Sequence, residues 1–368
     1  MTTTEHAPSI VPLARVLEHG DSIVSDPAGA STLYNKGYYG NHLPRGGLAL
    51  DPLETVYLTE AGRLAPHGDG DPGARLPLSE LLRRAYGGDE TFDIHYLVYR
   101  DLRQRGYVVK PGTGAVSFSV LPRGGTYPRT PSLYWVVALS ERTPFSLPSL
   151  LDLLDRGRRG KKRLLLGVVD EESDLTYYAP RLVVPKGHQP APAPGTLPAM
   201  EGIFLTDRVS VFDAEAIAAL GEHQMFGSRV GERLELSLLE ALYLVTEGRL
   251  HLTDGRTGKP LSRKAFLTVA GPVEGDLEQR LPVYTSLRKE GLLPKTGFKY
   301  GTHFRAYESD PTTTHARYLV HVVPPDFESS WPELSRAIRV AQGVRKSFLL
   351  GIGEGEPIQY VHLQRVRP

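Results

Sequence analysis

Apolar residues along the chain fall into two patterns. Tyr318–Val323 and Ser347–Ile352 are nearly unbroken apolar runs, the composition of short strands covered on both faces. Leu238–Thr246 instead has helical spacing, and Ser237 followed by Glu240 predicts a capping box at its start, with Gly248 ending it. Gly202-Ile203-Phe204-Leu205 reads as a strand ahead of that helix. Downstream, the pattern predicts a helix over 281–289 stopped at Gly291, a strand over 302–307, a helix over 332–342 with proline in its first turn, and a last strand over 358–366. The order α, β-β-β, α, β-β describes a mixed sheet flanked by helices.

The same pattern occurs twice. Leu53-Glu54-Thr55-Val56-Tyr57-Leu58 returns as Leu239-Glu240-Ala241-Leu242-Tyr243-Leu244, an offset of 240 − 54 = 186. Tyr99-Arg100-Asp101-Leu102-Arg103 returns as Tyr284-Thr285-Ser286-Leu287-Arg288 at 185, and Leu164-Leu165-Leu166-Gly167 as Phe348-Leu349-Leu350-Gly351 at 184. Three blocks in one order at nearly one offset indicate a duplicated domain; a solenoid needs three or more repeats. Between the copies, Pro185 to Gly195 is dense in proline, which fixes φ and removes amide donors, so an extended linker is expected over 185–200.

Composition narrows the function classes. The chain has 368 residues, room for two to three domains. Zero cysteines removes disulfides, thiolate nucleophiles and cysteine zinc sites together. No apolar run approaches the ~20 residues of a membrane span, and Met1 to His6 is polar, so a cytoplasmic protein without a membrane partner is expected. With 43 Lys+Arg against 42 Asp+Glu, the net charge of +1 gives no general attraction to nucleic acid, and RNA binding would rest on a local cluster. No phosphate-binding glycine loop and no His-Glu-x-x-His or clustered carboxylates appear, so no cofactor and no metal site are expected.

The copies differ in ionisable groups. Phe304-Arg305-Ala306-Tyr307 aligns with Phe118-Ser119-Val120-Leu121, so Tyr307 stands opposite Leu121. His315 precedes Ala316-Arg317-Tyr318-Leu319-Val320 where the first copy has Pro131, whereas Lys346 aligns with Lys162. The stretch from Leu287 to Tyr307, then His315, then Arg339-Val340-Ala341-Gln342-Gly343-Val344-Arg345-Lys346, closely resembles the archaeal tRNA-splicing endonucleases. The resemblance is strong over the last ~90 residues and weaker over the first copy. One departure is His303, where that family usually has Asp; it removes a carboxylate near Tyr307.

The resemblance implies an α/β (α+β) fold in tandem duplication, each copy with an N-terminal α/β subdomain and a C-terminal mixed-sheet, nuclease-like subdomain. The expected boundaries are a degenerate structural copy over 1–184 with its nuclease-like part at about 94–184, a linker over 185–200, a front subdomain over 201–280 and a catalytic domain over 281–368. It implies a homodimer that cleaves precursor tRNA at bulge-helix-bulge intron junctions without a metal, and no DNA substrate. Tyr307 would be the base, His315 the acid and Lys346 the electrostatic stabiliser. Those residue types suit the chemistry, because RNA carries its own nucleophile in the 2′-hydroxyl. A histidine is a natural acid at neutral pH, a lysine neutralises charge on the phosphorane, and a tyrosine serves as base only with a cation close by. The products would be a 2′,3′-cyclic phosphate and a 5′-hydroxyl.

By the same resemblance Arg339 and Arg365 would sandwich an unpaired bulge base, and Asp155 stands opposite Arg339 in the first copy. The acidic turn Asp170, Glu171, Glu172, Ser173, Asp174 would dock into a basic pocket of another protomer; its counterpart Glu354-Gly355-Glu356 is shorter. Taken singly, these residues also fit plainer roles: Tyr307 a strand-end tyrosine, His315 a loop histidine, Lys346 a solvated lysine, the acidic run a solvated turn. The rival function is a non-catalytic RNA-binding or structural subunit of such a nuclease, which the complete set of Tyr307, His315 and Lys346 argues against.

Overall fold

The computed structural model describes residues 11–189 and 199–368. Most of the proline-rich stretch therefore lies outside the described residues. Its first part is no free spacer: the amides of Gly187 and Gln189 donate to the carbonyls of Glu290 (2.9 Å) and Gly291 (3.0 Å), and that of His188 to Glu308 (2.7 Å).

The chain divides into two compact units, each holding a short piece of the other copy's sequence. One contains the chain up to Pro144, Leu151–Ala179 and Arg365–Pro368; the other contains Phe145–Leu150 and Pro180–Gln364. Among the described residues no helix is long and apolar enough to cross a membrane.

The front part of the second unit is a six-stranded sheet in the order Ser228–Val230, Arg233–Ser237, Arg208–Val211, Met200–Phe204, Leu250–Asp254, Pro260–Leu261. Helix Leu238–Thr246 covers it with the expected capping box: the Ser237 hydroxyl accepts from the Glu240 amide, and Glu240 accepts from the Ser237 amide. The first unit repeats this plan, with Asp51 and Glu54 capping helix Pro52–Glu60.

The rear part of the second unit carries a sheet in the order Leu293–Thr296, Phe304–Tyr307, Tyr318–Val323, Ser347–Ile352, Tyr360–Val366. The first unit has the counterpart Val109–Pro111, Phe118–Val120, Tyr134–Ser140, Arg163–Val169, Leu175–Val183. The fold is thus mixed α/β in tandem duplication. In each rear sheet one pair is parallel, Tyr318–Val323 with Ser347–Ile352 and Tyr134–Ser140 with Arg163–Val169. A parallel pair needs a crossover, and in the second unit helix Trp331–Gly343 supplies it, burying Trp331, Leu334, Ile338 and Ala341. Helix Leu277–Lys289 begins four residues before the expected start, because Leu277 is itself buried and its core contacts outweigh the bond lost at Pro282.

Candidate active site

The register of the rear sheet brings the candidate residues to one end. Pro294, Ala306, Tyr318 and Ser347 lie opposite one another on successive strands. Tyr307 is one residue beyond Ala306, Arg317 one before Tyr318, and Lys346 one before Ser347. Because Phe304–Tyr307 runs antiparallel to the next strand and that strand parallel to Ser347–Ile352, all three steps lead to the same edge. The backbones of Tyr307 and Lys346 are two strand spacings apart, roughly 10 Å. The Arg317 amide donates to the Ala306 carbonyl (2.9 Å) and the Ser347 amide to the Arg317 carbonyl (3.0 Å), which fixes this edge.

Ala316 touches two of the three candidate residues and is the chain neighbour of the third. The Lys346 ammonium donates to its carbonyl at 3.0 Å. Ala316 packs with Leu293 and Tyr307 in a small buried cluster beside Met225. Its chain neighbour is His315, which ends a loop tightened by Asp310: that carboxylate accepts the amide and the hydroxyl of Thr312, both at 2.7 Å, and is held below its ordinary range by them. The His315 side chain is exposed, and among the described residues its imidazole has no hydrogen-bond partner. The Tyr307 ring is mostly buried, with the Arg305 guanidinium 5.6 Å from its centroid.

Tyr307 and Lys346 do not share one cavity. Tyr307 lines a cleft of about 480 Å³ with Met225, Arg305, Pro311 and Thr312. Lys346 lines another of about 190 Å³ with Arg181, Arg317, Gln342 and His362.

The first copy has the same tether without the two other groups. Lys162 donates to the Ser132 carbonyl at 2.7 Å, and the spacing is identical, 162 − 132 = 30 and 346 − 316 = 30. The lysine therefore holds this loop in both copies. Where the second copy carries a phenol and an imidazole, the first has Leu121 and Pro131.

His303 acts as a hydrogen-bond acceptor. Its Nδ1 accepts from the Val322 amide at 2.9 Å, and its ring lies 4.5 Å from that of His321. Burial first, then His321 and Arg280, push its pKa down to about 4, so it is neutral at pH 7. A carboxylate could accept the same amide. His303 lines a cleft with Glu240 and Arg280, separate from that of Tyr307.

Arg339 is exposed on helix Trp331–Gly343, and Arg365 is exposed near the end of the last strand. Asp155, opposite Arg339 in the first copy, is paired with Arg158 and Arg159. In the acidic turn one Asp170 carboxylate oxygen accepts the amides of Glu172 (3.0 Å) and Asp174 (2.9 Å), and Glu171 pairs with Arg142 at 3.1 Å. The side chains of Glu172 and Asp174 have no partner among the described residues. No three His, Asp or Glu side chains come together as a metal-holding group among the described residues.

Sequence reading missed the buried pair Lys295–Glu240 (3.0 Å), repeated as Lys110–Glu54 (3.5 Å). The signal was there: lysine and glutamate recur at the offsets of the two copies. It also missed Arg181, Arg317 and His362, whose proximity joins strands far apart in sequence.

The sequence model of the tRNA intron endonuclease catalytic C-terminal domain matches residues 92–177 and again 277–360. That of the family's N-terminal domain matches 14–75 and 200–267. A tRNA-splicing endonuclease of Methanosarcina mazei is 38% identical over 353 residues, covering 95% of this chain and 97% of that protein. One from Methanococcoides burtonii is 37% identical over 94% of this chain and 98% of its own length, and one from Natronomonas pharaonis 33% over 93% and 96%. With both family domains present twice on a duplicated fold, the chain belongs to the tRNA intron endonuclease family.

Proposed function

We propose that the protein excises introns from precursor tRNA by cutting bulge-helix-bulge junctions through attack of the 2′-hydroxyl on the adjacent phosphate. Family membership makes the chain a tRNA-splicing endonuclease; the junction and the chemistry are our reading. It is carried by the convergence of Tyr307, Lys346 and the His315 loop on Ala316, beside a first copy that keeps only the lysine.

In this reading Tyr307 acts as its phenolate, whose oxygen takes the proton from the 2′-hydroxyl and becomes the neutral phenol. His315, exposed and without a hydrogen-bond partner among the described residues, gives a proton to the departing 5′-oxygen. Lys346 tethers the loop and adds positive charge where the phosphorane forms. The step needs no metal, because the nucleophile belongs to the RNA. Arg339 and Arg365 would hold a splayed bulge base between guanidinium planes. Two chains would pair as a homodimer, matching two catalytic copies to the two cuts of one intron.

The test is cleavage of a bulge-helix-bulge RNA in EDTA, with the ends mapped. The expected products carry a 2′,3′-cyclic phosphate and a 5′-hydroxyl; a 5′-phosphate, or loss of all activity in the chelator, overturns the chemistry. His315→Ala should slow single-turnover cleavage by roughly 10²–10⁴-fold with RNA affinity little changed. Lys162→Ala, which cuts the same tether in the first copy, should leave the chemical step near its wild-type rate. Equal damage from both variants would show that the copies share catalysis.

A further inference from the structure

The cleft beside Lys346 gathers positive charge without compensation. Arg181, Arg317 and Lys346 line it together, and among the described residues none of the three has a carboxylate within ion-pair distance. Like charges held around one cavity repel each other, and a bound anion relieves that repulsion. The arrangement is built rather than incidental. His362, only 4% exposed, forms the floor, and its Nδ1 accepts from the Arg181 Nε at 3.1 Å. That bond anchors the guanidinium through Nε and leaves its two terminal nitrogens available, the pair that grips phosphate oxygens. Arg317 is fixed by its backbone at the sheet edge, and Lys346 by its bond to Ala316. The cavity, about 190 Å³, has room for a phosphate group and some of its water.

Arg181 belongs to the first copy's sequence. It is the counterpart of Arg365, since 365 − 181 = 184, the offset of the Leu164-Leu165-Leu166-Gly167 block. The degenerate copy thus supplies a cation to the cleft that holds Lys346.

We propose that Arg181 and Arg317, seated on His362 next to Lys346, form a phosphate subsite that holds the backbone phosphate adjacent to the one that Lys346 serves. The proposal rests on the nuclease reading above for the identity of the ligand, but the subsite itself does not require cleavage. Burial, with Arg181 and Arg317 beside it, pushes the His362 pKa down to about 4. The imidazole is therefore neutral at pH 7 and remains an acceptor for Arg181.

Two measurements test it. In the first, inorganic phosphate is titrated into the full chain while the His362 ring is followed by NMR. A saturable shift is expected in the wild type, and it should vanish in Arg181→Gln and survive, weakened, in Arg181→Lys. Since Arg181 is exposed, these variants should fold, and their melting temperatures check that. No shift in the wild type, or the same shift in Arg181→Gln, overturns the subsite. In the second, affinity for a precursor tRNA blocked at its cleavage sites by 2′-deoxy substitution is measured from low to high salt. Arg181→Gln should weaken binding about three- to tenfold and lower the slope of log K against log salt by about one, the loss of one phosphate contact. A phosphate shift without any change in RNA affinity or slope would mean that the cleft binds a free anion, and would overturn the backbone assignment. A wild-type chain that binds phosphate here but cuts no RNA would defeat the proposed function and leave the subsite standing.

Discussion

His303, His321 and His362 are all kept neutral by burial, two of them with pKa values near 4. In the unfolded chain a histidine titrates near 6.5. Between about pH 4 and 6.5 the unfolded state therefore binds more protons than the folded one, so stability rises with pH through that window. It is fully present above 6.5 and is lost progressively on acidification, on the order of 2 kcal/mol for each strongly shifted residue by pH 4. Melting temperatures should fall between pH 7 and 4.5. The fall should be shallower in His303→Asn, which keeps an acceptor for the Val322 amide but no titrating group. Identical slopes would show that His303 protonates freely in the fold. At this scale the sequence singled out Tyr307 and His315 as candidates because an internal twin lacks both, and a difference between copies is visible without a structure. It did not disclose the Arg181–His362 contact, whose partners stand 181 residues apart with no local pattern linking them.

Between elements, each capping-box glutamate does two tasks. Glu240 accepts the Ser237 amide at the start of helix Leu238–Thr246, and it also takes Lys295 from the first strand of the rear sheet, at 3.0 Å. The Gly227 amide donates to the same carboxylate at 3.0 Å, and Lys295 donates to the Gly227 carbonyl at 3.1 Å. Burial alone would raise the Glu240 carboxyl; Lys295 and the amides outweigh it and hold it below its ordinary range. Front and rear parts of the second unit are thereby joined through a mostly buried charge pair. Breaking one side strands the other, so Lys295→Met should destabilise the fold by about 3 kcal/mol. Lys295→Met combined with Glu240→Gln should recover part of that loss, read as urea midpoints of the two variants. A single variant with an unchanged midpoint would mean that water reaches Glu240. Helix Leu238–Thr246 and strand Ser347–Ile352 were legible to the residue because cap and apolar run agree there. The start of helix Leu277–Lys289 was not, since its first turn is held by tertiary burial of Leu277 against the preference of Pro282.

For the whole molecule, duplication would leave the first copy free to serve assembly if, as proposed, the chemistry belongs to the second. The acidic turn has the form that such a task requires. Asp170 is used inside the turn to bind the amides of Glu172 and Asp174, so the backbone is fixed before any partner arrives. Glu171 is tied only to an exposed Arg142, a contact that solvent makes weak. Glu172 and Asp174 are exposed and project from a rigid turn, whereas Glu354 and Glu356 offer a smaller charge in the second copy. If these carboxylates dock on a basic surface of the partner chain, the dimer draws affinity from charge pairs that lose water on assembly. Changing Glu171, Glu172 and Asp174 to Gln, Gln and Asn keeps Asp170 and the turn but removes the charge. Dimer dissociation should then become at least about tenfold easier, roughly 1.4 kcal/mol. Cleavage should fall with dilution and recover in part at high protein concentration, because Tyr307, His315 and Lys346 are untouched. The matching change of Glu354 and Glu356 to Gln should leave assembly as it was. Sedimentation at several concentrations decides between the two roles: a triple variant that dimerises like the wild type would make this turn a solvated hairpin, and the partner contacts would have to be sought on another surface.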